Sequence, residues 1–308
     1  MSNYTENVFS DDPNHVWNKL IHLIPKKSLV LDVGCSSGNL GEILIEKKDC
    51  IVDGIEIDKA DAKIAAKKLR HVEIFDINEP KNFDRYTDRY DIIIFADVLE
   101  HLVDPAKVLE RVKSLLKPKG AIVFSIPNMA HVSVRLDLLA GNFRHTETGV
   151  IDKTHLHFYT QEEAIRIFTA AGLHMNHFDV SPYPYPESLI KRKFEEMGLT
   201  PSEKTMEMLR RPDAAAFQFV GAATNEPGSK QNKTLPPVMP IENDMHLMAA
   251  TLAAKEAELK KAQEANNEQA LTIQRLTDQI KDLNNSRALK ISRAITGTFR
   301  KSTKEKTN

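Results

Sequence analysis

The chain has 308 residues, of which 41% are hydrophobic and 28% are charged, and its net charge at neutral pH is −1. This composition is ordinary for a globular protein, and the balanced charge excludes attraction to nucleic acid through an overall positive field. The sequence has no apolar run of about 18 residues, which excludes a membrane-spanning helix. Cys35 and Cys50, its two cysteines, are too few for a disulfide framework, so we expect a cytoplasmic protein with reduced thiols.

Short apolar runs alternate with amphipathic segments over the first 223 residues. Runs rich in β-branched and aromatic residues predict buried strands, and the stretches between them have helical periodicity. The predicted strands cover 30–33, 51–57, 72–75, 92–95, 121–126, 173–180 and 216–222. Helices are predicted over 61–69 and 105–116, after a capping box at 160–163, and within 187–212. Strands buried on both faces and joined by helices indicate a doubly wound α/β sheet.

The first predicted strand runs into a turn that contains Gly34 and Gly38. Glycines at such a turn let backbone N–H groups approach a ligand closely. Glu56, at the end of the next strand, is placed to accept hydrogen bonds from the ribose of an adenosine. Asp32 decides between cofactors, because its carboxylate would repel a pyrophosphate but suits a ligand that carries an ammonium and a sulfonium.

Residues 31–40 read Leu-Asp-Val-Gly-Cys-Ser-Ser-Gly-Asn-Leu, which resembles the first motif of class I S-adenosylmethionine (SAM)-dependent methyltransferases. Segments 56–58, 76–77, 90–102 and 116–120 resemble the later motifs in the family's order, although Ser36 stands where the family usually has glycine. The resemblance implies a SAM-dependent methyltransferase with a Rossmann-like, seven-stranded, mostly parallel sheet, helices on both faces and strand order 3-2-1-4-5-7-6, the last strand antiparallel. The cofactor-binding residues that it implies are Asp32, Gly34, Cys35, Gly38, Glu56, Ile57, Asp76, Ile77, Asp97 and Val98.

The acceptor site is expected in the loops after the fourth and fifth strands, since ligands of open α/β sheets bind at the carboxyl ends of strands. If the acceptor is a hydroxyl, a side chain must take its proton, and histidine is suited to that role. The insertion 128–159 after the fifth strand could form a lid and offers His131, Asp152 and His155 as candidate catalytic residues. His101 could border the cofactor sulfonium.

The pattern of this insertion resembles a bacterial branch of the family whose members often accompany glycosyltransferases in cell-surface polysaccharide pathways. Some sugar methyltransferases use a divalent ion, and Asp97, Glu100 and Asp152 with a histidine could bind one. No compact ligand spacing requires it, so we expect no metal.

A linker is predicted over 224–243, a coiled coil over 244–285 and a basic amphipathic tail over 286–308. Heptad position a holds Met245, Leu252, Leu259, Asn266, Ile273 and Ile280, and position d holds Met248, Lys255, Ala262, Gln269, Leu276 and Leu283. We expect self-association through this segment, with a solitary solvated helix as the alternative. The tail could contact the inner face of the membrane peripherally or have no partner, and its ending is similar to one found on bacterial polysaccharide glycosyltransferases.

These observations predict O-methylation of a sugar hydroxyl on a polysaccharide or lipid-linked glycan, by in-line displacement with a histidine as general base. One alternative acceptor is a small aromatic such as a quinone precursor. Another possibility is a SAM-binding scaffold that recruits partners through the coiled coil. Nucleic acid is not expected as a partner, because the catalytic domain has no basic stripe. The sequence leaves open the acceptor, the methylated position, the identity of the base and the oligomer number.

Overall fold

The computed structural model describes residues 12–86, 89–183 and 185–227, and in the C-terminal part 260–264, 266–267, 269–283, 286–287, 290–292 and 295. The chain divides into two compact units, residues 1–238 and 239–308. The finer boundaries expected from the sequence, a catalytic domain over 1–223 and a linker over 224–243, stay predictions.

The first unit is built on a seven-stranded sheet with the order β3-β2-β1-β4-β5-β7-β6. Its strands are β1 Leu29–Val33, β2 Ile51–Ile55, β3 His71–Glu73, β4 Tyr90–Ala96, β5 Leu116–Pro127, β6 His174–Pro182 and β7 Ala216–Thr224. The first five strands pair in parallel, and β7 runs antiparallel to both of its neighbours, β5 and β6. The predicted fold class and strand order are therefore confirmed.

Helices connect the strands and cover both faces of the sheet. They are α1 Val16–Leu23, α2 Asn39–Lys48, α3 Lys59–Ala65, α4 Pro105–Val112, α5 Val132–Leu139, α6 Gln161–Ala170, α7 Glu187–Glu196, α8 Glu203–Leu209 and α9 Pro212–Ala215. One core contains side chains of α4 and α6, and the core on the other face contains those of α1 and α2. A smaller cluster joins α5, α7 and α8. The central strands are apolar on both sides because both of their faces are covered.

The structure refines several predicted element ends. Thr160 caps α6 by accepting a hydrogen bond from the Glu163 backbone N–H, as the predicted capping box requires. The second bond of a capping box, from the Thr160 N–H to the Glu163 carboxylate, is replaced by an ion pair of that carboxylate with Arg166. The third strand ends at Glu73, two residues earlier than predicted, and residues 74–76 are neither strand nor helix. The insertion 128–159 closes on itself, since Asn128 and Tyr159 form a bridge at its base.

The described residues of the C-terminal unit are helical, and the helix is continuous over 269–283. The predicted heptad positions before residue 260 lie outside the described residues, as does most of the basic tail. Within the described part of the chain, no helix has both the length and the apolar composition needed to cross a bilayer.

Candidate functional site

The turn between β1 and α2 brings the backbone into unusual conformations at three positions. Gly34, Ser36 and Gly38 all have positive φ angles, of 76°, 46° and 77°. The N–H groups of Gly34 and Cys35 both donate to the Ile55 carbonyl, at 2.8 and 3.0 Å, which ties the turn to the end of β2. A Cβ added at Gly34 would lie 2.7 Å from Val98 Cγ2. Glycine is therefore required at position 34 by both conformation and space.

A cavity of about 360 Å³ opens beside this turn, at the carboxyl ends of β1, β2 and β4. The predicted cofactor-binding residues that line it are Asp32, Gly34, Cys35, Glu56, Ile57, Ile77, Asp97 and Val98. Gly38 and Asp76 are not part of this lining. Gly38 packs against α3, where an added Cβ would lie 3.0 Å from the Ala65 Cα, and the Asp76 carboxylate accepts a hydrogen bond from the Asn78 backbone N–H at 2.8 Å.

Five acidic residues line this cavity and give it a negative character: Asp32, Glu56, Asp58, Asp61 and Asp97. Glu56 accepts hydrogen bonds from the backbone N–H groups of Ser36 and Asp58, both at 2.8 Å, so its carboxylate joins the glycine turn to the loop after β2. Asp32 is buried, and its burial together with the nearby charge of Glu56 raises its pKa to about 7. A cationic ligand would offset this unfavourable burial of negative charge.

Asp97 follows β4 in a left-handed conformation, with φ at 55°. Its carboxylate accepts hydrogen bonds from Ser125 Oγ at 2.9 Å and from Gln218 Nε2 at 2.7 Å. These donors come from β5 and β7, so three strands fix the orientation of one side chain. Burial raises the pKa of Asp97.

A second cavity of about 470 Å³ adjoins the first, and Asp97 and His101 line both. Its other lining residues are Asp12, Asn14, His15, Val16, Glu100, Pro127, Thr148, Gly149, His155, Ser181, Pro182, Tyr183, Phe217 and Gln218. Thr148, Gly149 and His155 belong to the insertion, which therefore forms one wall of this cavity. A ligand in the second cavity would lie next to a ligand in the first.

Glu100 and His155 lie together in the second cavity's wall. His155 Nδ1 lies 3.1 Å from the Val150 carbonyl, which can only accept, so Nδ1 carries the proton and Nε2 keeps its lone pair. Glu100 Oε1 is 3.9 Å from His155 Nε2, and neither Glu100 oxygen has a hydrogen-bond partner although the residue is 1% exposed. Burial and the charge of Asp97 raise the pKa of Glu100 well above its ordinary value, while burial and His101 lower that of His155.

Glu100, His101 and His155 form a compact cluster in which one potential ligand atom from each lies within 4.8 Å of the others. Two imidazoles and a carboxylate could together hold a divalent cation. The expectation of no metal stays a prediction.

The three predicted catalytic residues occupy different places. His155 lies in the cavity wall, and Asp152 is buried behind it, where its Oδ1 accepts hydrogen bonds from the N–H and hydroxyl of Thr154. His131 caps α5: Nε2 donates to the Tyr183 carbonyl at 3.1 Å, and Nδ1 lies 2.8 Å from Ser133 Oγ. It is 1% exposed and lines neither cavity, so the structure does not bring it together with His155.

The structure adds site residues that the sequence did not single out as catalytic. Glu100 lies in the segment 90–102 that resembles a family motif, and its burial beside a histidine of the insertion is visible only in the fold. Gln218 is 121 positions from Asp97 in sequence. No local pattern could have paired these two residues, because their contact depends on the position of β7.

The family model described as a methyltransferase domain matches residues 6–177, which is more than half of the chain. The chain belongs to this family. It is therefore a SAM-dependent methyltransferase, and SAM is its cofactor. The first cavity fits that cofactor, since it offers carboxylates for a cationic ligand, apolar side chains for a purine and a glycine turn for close backbone approach.

Known proteins with similarity to this methyltransferase include two named ubiquinone biosynthesis O-methyltransferase. The one from Coxiella burnetii is 25% identical over 206 residues, covering 56% of this chain and 88% of the relative. The one from Pasteurella multocida is 27% identical over 168 residues, covering 48% and 69%.

Solved structures also resemble it. A SAM-dependent methyltransferase from Archaeoglobus fulgidus shares 18% identity, with a TM-score of 0.48, over 68% of this chain and 91% of that one. Magnesium protoporphyrin IX methyltransferase from Synechocystis PCC 6803, with bound SAH, shares 14% identity, with a TM-score of 0.45, over 69% and 83%.

Proposed function

We propose that this methyltransferase O-methylates a hydroxyl group on a polar ring, with the sugar of a polysaccharide or lipid-linked glycan as the acceptor. The observation that carries the proposal is the pair of adjoining cavities that share Asp97 and His101. An acceptor in the second cavity would face the cofactor cavity directly. Methyl transfer needs that alignment, because the acceptor oxygen, the methyl carbon and the sulfur must lie in line.

In this proposal the first cavity holds SAM, which supplies an electrophilic methyl group when bound. Asp32 and Glu56 would provide the negative charge that a cationic cofactor requires, with Glu56 placed for the ribose hydroxyls. Ile57 and Ile77 would contact the adenine ring. Gly34 and Cys35 would bring the backbone of the glycine turn close to the ligand. Asp97 and Val98 would close the cavity on the side of the acceptor.

His155 is proposed as the general base. Its Nδ1–H is held by the Val150 carbonyl, so Nε2 is free to take a proton from an acceptor hydroxyl. Burial favours the neutral form of Glu100, whose carboxyl lies 3.9 Å away, and the charge that develops on the imidazole would in turn favour ionisation of that carboxyl. Asp152 would act through Thr154, which it fixes and which contacts His101. His131 is better explained as a helix cap than as a base.

The lining of the second cavity favours a sugar. Side chains that exchange hydrogen bonds with hydroxyl groups, including Asn14 and Gln218, share this lining with the rings of Tyr183 and Phe217. The two rings lie 5.6 Å apart between centroids. A sugar presents hydroxyls at its edge and C–H groups on its faces, and this combination of polar and aromatic side chains suits both.

A phenolic quinone precursor is the second candidate acceptor. Its support is that the relatives named above are described as ubiquinone biosynthesis O-methyltransferases. A phenol would use the same base and the same pair of cavities, since its hydroxyl also loses a proton on methylation.

Methyl transfer from isotopically labelled SAM to separate glycan, lipid and quinone extracts distinguishes these acceptors. We expect label in the glycan or lipid-linked glycan fraction. Label in the quinone fraction alone would assign the phenolic acceptor instead. Binding of SAM without transfer to any extract would favour a scaffold, and a Glu56→Ala variant that fails to bind SAM serves as the blank.

The affinity for SAM is expected to depend on pH through Asp32. The raised pKa of about 7 means that Asp32 becomes protonated as the pH falls below neutrality. A neutral carboxyl attracts a cation less than a carboxylate does, so the dissociation constant should rise about tenfold between pH 8 and pH 6. Calorimetric titration at both values measures this change. An Asp32→Asn variant controls for ionisation of the ligand: it should bind weakly with a flatter pH profile, and an unchanged slope would exclude Asp32 as the cause.

We propose that the protein acts in the cytoplasm, in surface-polysaccharide assembly, and associates with copies of itself. The basic tail would give it peripheral contact with the inner face of the membrane. In the described part of this tail Ile291 and Ile295 are more than half exposed and Arg287 and Lys290 supply positive charge, which is the composition of a segment that binds anionic lipid.

A further inference from the structure

The C-terminal helix exposes a narrow apolar stripe. Ile273, Leu276, Ile280 and Leu283 are each between 54% and 64% exposed, and they recur at alternating intervals of three and four residues. This spacing places all four on one side of the helix. An isolated helix gains little stability in water from its backbone hydrogen bonds alone. A helix with an apolar stripe of this kind is stabilised when the stripe packs against a partner.

The uncharged residues on either side of the stripe favour a second copy of this chain as the partner. In a coiled coil, positions a and d form the apolar seam between the helices, and positions e and g flank it. Here the flanking positions hold uncharged residues, which are Ala270, Thr272, Thr277 and Gln279. Two identical helices would therefore bring no like charges together across the seam. The charged residues of the same segment, Arg275, Asp278, Lys281 and Asp282, occupy the outer positions of the heptad. A partner chosen by charge would need charged flanking positions, and this helix has none over 269–283.

The identities of the seam residues also determine the number of strands. Isoleucine occupies position a at 273 and 280, and leucine occupies position d at 276 and 283. β-branched residues at a with leucine at d favour two parallel strands, because of the angles at which side chains enter the facing holes. Asn266 stands at the preceding a position, where paired asparagines fix the register of a dimer at some cost in stability.

We infer that two copies of this chain form a parallel, in-register, two-stranded coiled coil through the seam from Asn266 to Leu283. The two chains then enter the coiled coil from the same end, so that one assembly carries two methyltransferase domains. Tethering raises the effective concentration of the second site for an acceptor with repeated units. This last consequence rests on the proposed polymeric acceptor, whereas the dimer itself does not.

Light scattering coupled to size-exclusion chromatography of the full chain tests the dimer. We expect twice the mass of one chain at micromolar concentration, and the mass of one chain for an Ile280→Lys variant. Gln274→Lys adds the same charge at an outer heptad position and should stay dimeric. Unchanged SAM affinity in both variants shows that the catalytic domain is folded. A monomeric wild type, or a dimeric Ile280→Lys variant, would overturn the inference.

Cross-linking tests the orientation and the register. Gln269→Cys places a thiol at a polar d position, where in-register parallel helices bring the two copies face to face. We expect its oxidation to yield a covalent dimer, and Gln274→Cys, on the outer side, to yield none. Cross-linking at 274 but not at 269 would exclude this seam. Transfer to a polymeric acceptor can then be compared with transfer to its monomeric unit. A dimeric wild type that methylates neither the polymer nor its monomeric unit would contradict the proposed acceptor without affecting the inference of a dimer.

Discussion

Replacing Gly34 with alanine is expected to weaken SAM binding at least tenfold and to abolish most methyl transfer. The new Cβ would lie 2.7 Å from Val98 Cγ2, in a backbone conformation with φ at 76° that costs an L-residue about 1–2 kcal/mol. Val98 lines the cofactor cavity, as does the backbone of the turn itself. Relief of the contact must therefore move one wall of the cavity. Calorimetric titration with SAM measures the loss of affinity.

Gly141→Ala is the matched control for this substitution. Gly141 has a φ of 77°, almost the same as Gly34, but an added Cβ would meet nothing within 4 Å. The backbone strain is thus the same in both variants, while the steric contact exists in only one. We expect Gly141→Ala to bind SAM as tightly as the wild type does. Equal loss in the two variants would show that strain in the fold, and not the shape of the cavity, controls binding.

The fold and the cofactor cavity were largely predictable because their signals are local. Asp32, Gly34 and Glu56 lie at the ends of two strands that are adjacent in the sheet, and each strand is recognisable from its own apolar run. The parallel connection then brings these residues together without further information. Asp76 was less predictable, because the short third strand ends at Glu73 and the loop after it uses the Asp76 carboxylate for its own hydrogen bonds.

The acceptor side could be predicted only as a region. His131 and His155 have the same residue type and lie in the same insertion, but one caps a helix and the other lies in a cavity wall. A histidine in a loop can cap a helix, pack or transfer protons, and the choice depends on neighbours that are distant in sequence. For His155 the decisive neighbour is Glu100, and for His131 it is the Tyr183 carbonyl. These contacts depend on how the insertion packs against the segments that follow β4 and β6.

His155→Ala is expected to lower kcat by about 10²–10⁴-fold while leaving SAM affinity unchanged, since the proton of the acceptor hydroxyl would have no base. His131→Ala is the matched comparison, because it removes a buried histidine from the same insertion. It should lower stability by about 2–5 kcal/mol through loss of buried packing, of the hydrogen bond to the Tyr183 carbonyl and of the helix cap, and leave kcat close to that of the wild type. Steady-state kinetics with thermal unfolding separates these effects, and the reverse outcome would assign the base to His131.

The pH dependence identifies how His155 acts. A general base must be neutral, and burial lowers the pKa of His155, so the wild type should stay active somewhat below the ordinary histidine pKa and lose rate as the pH falls further. This acid limb should disappear in His155→Ala. Glu100→Gln keeps the shape of the side chain but cannot ionise. The raised pKa of Glu100 favours its neutral form at rest, and an imidazolium 3.9 Å away favours the carboxylate, so the substitution should lower kcat by removing a group that ionises beside the charged His155. Full activity in the presence of a chelator is expected of a proton-transfer cluster. Loss of activity that Zn²⁺ or Fe²⁺ restores would instead show that Glu100, His101 and His155 bind a cation that activates the acceptor, since imidazole ligands suit these ions.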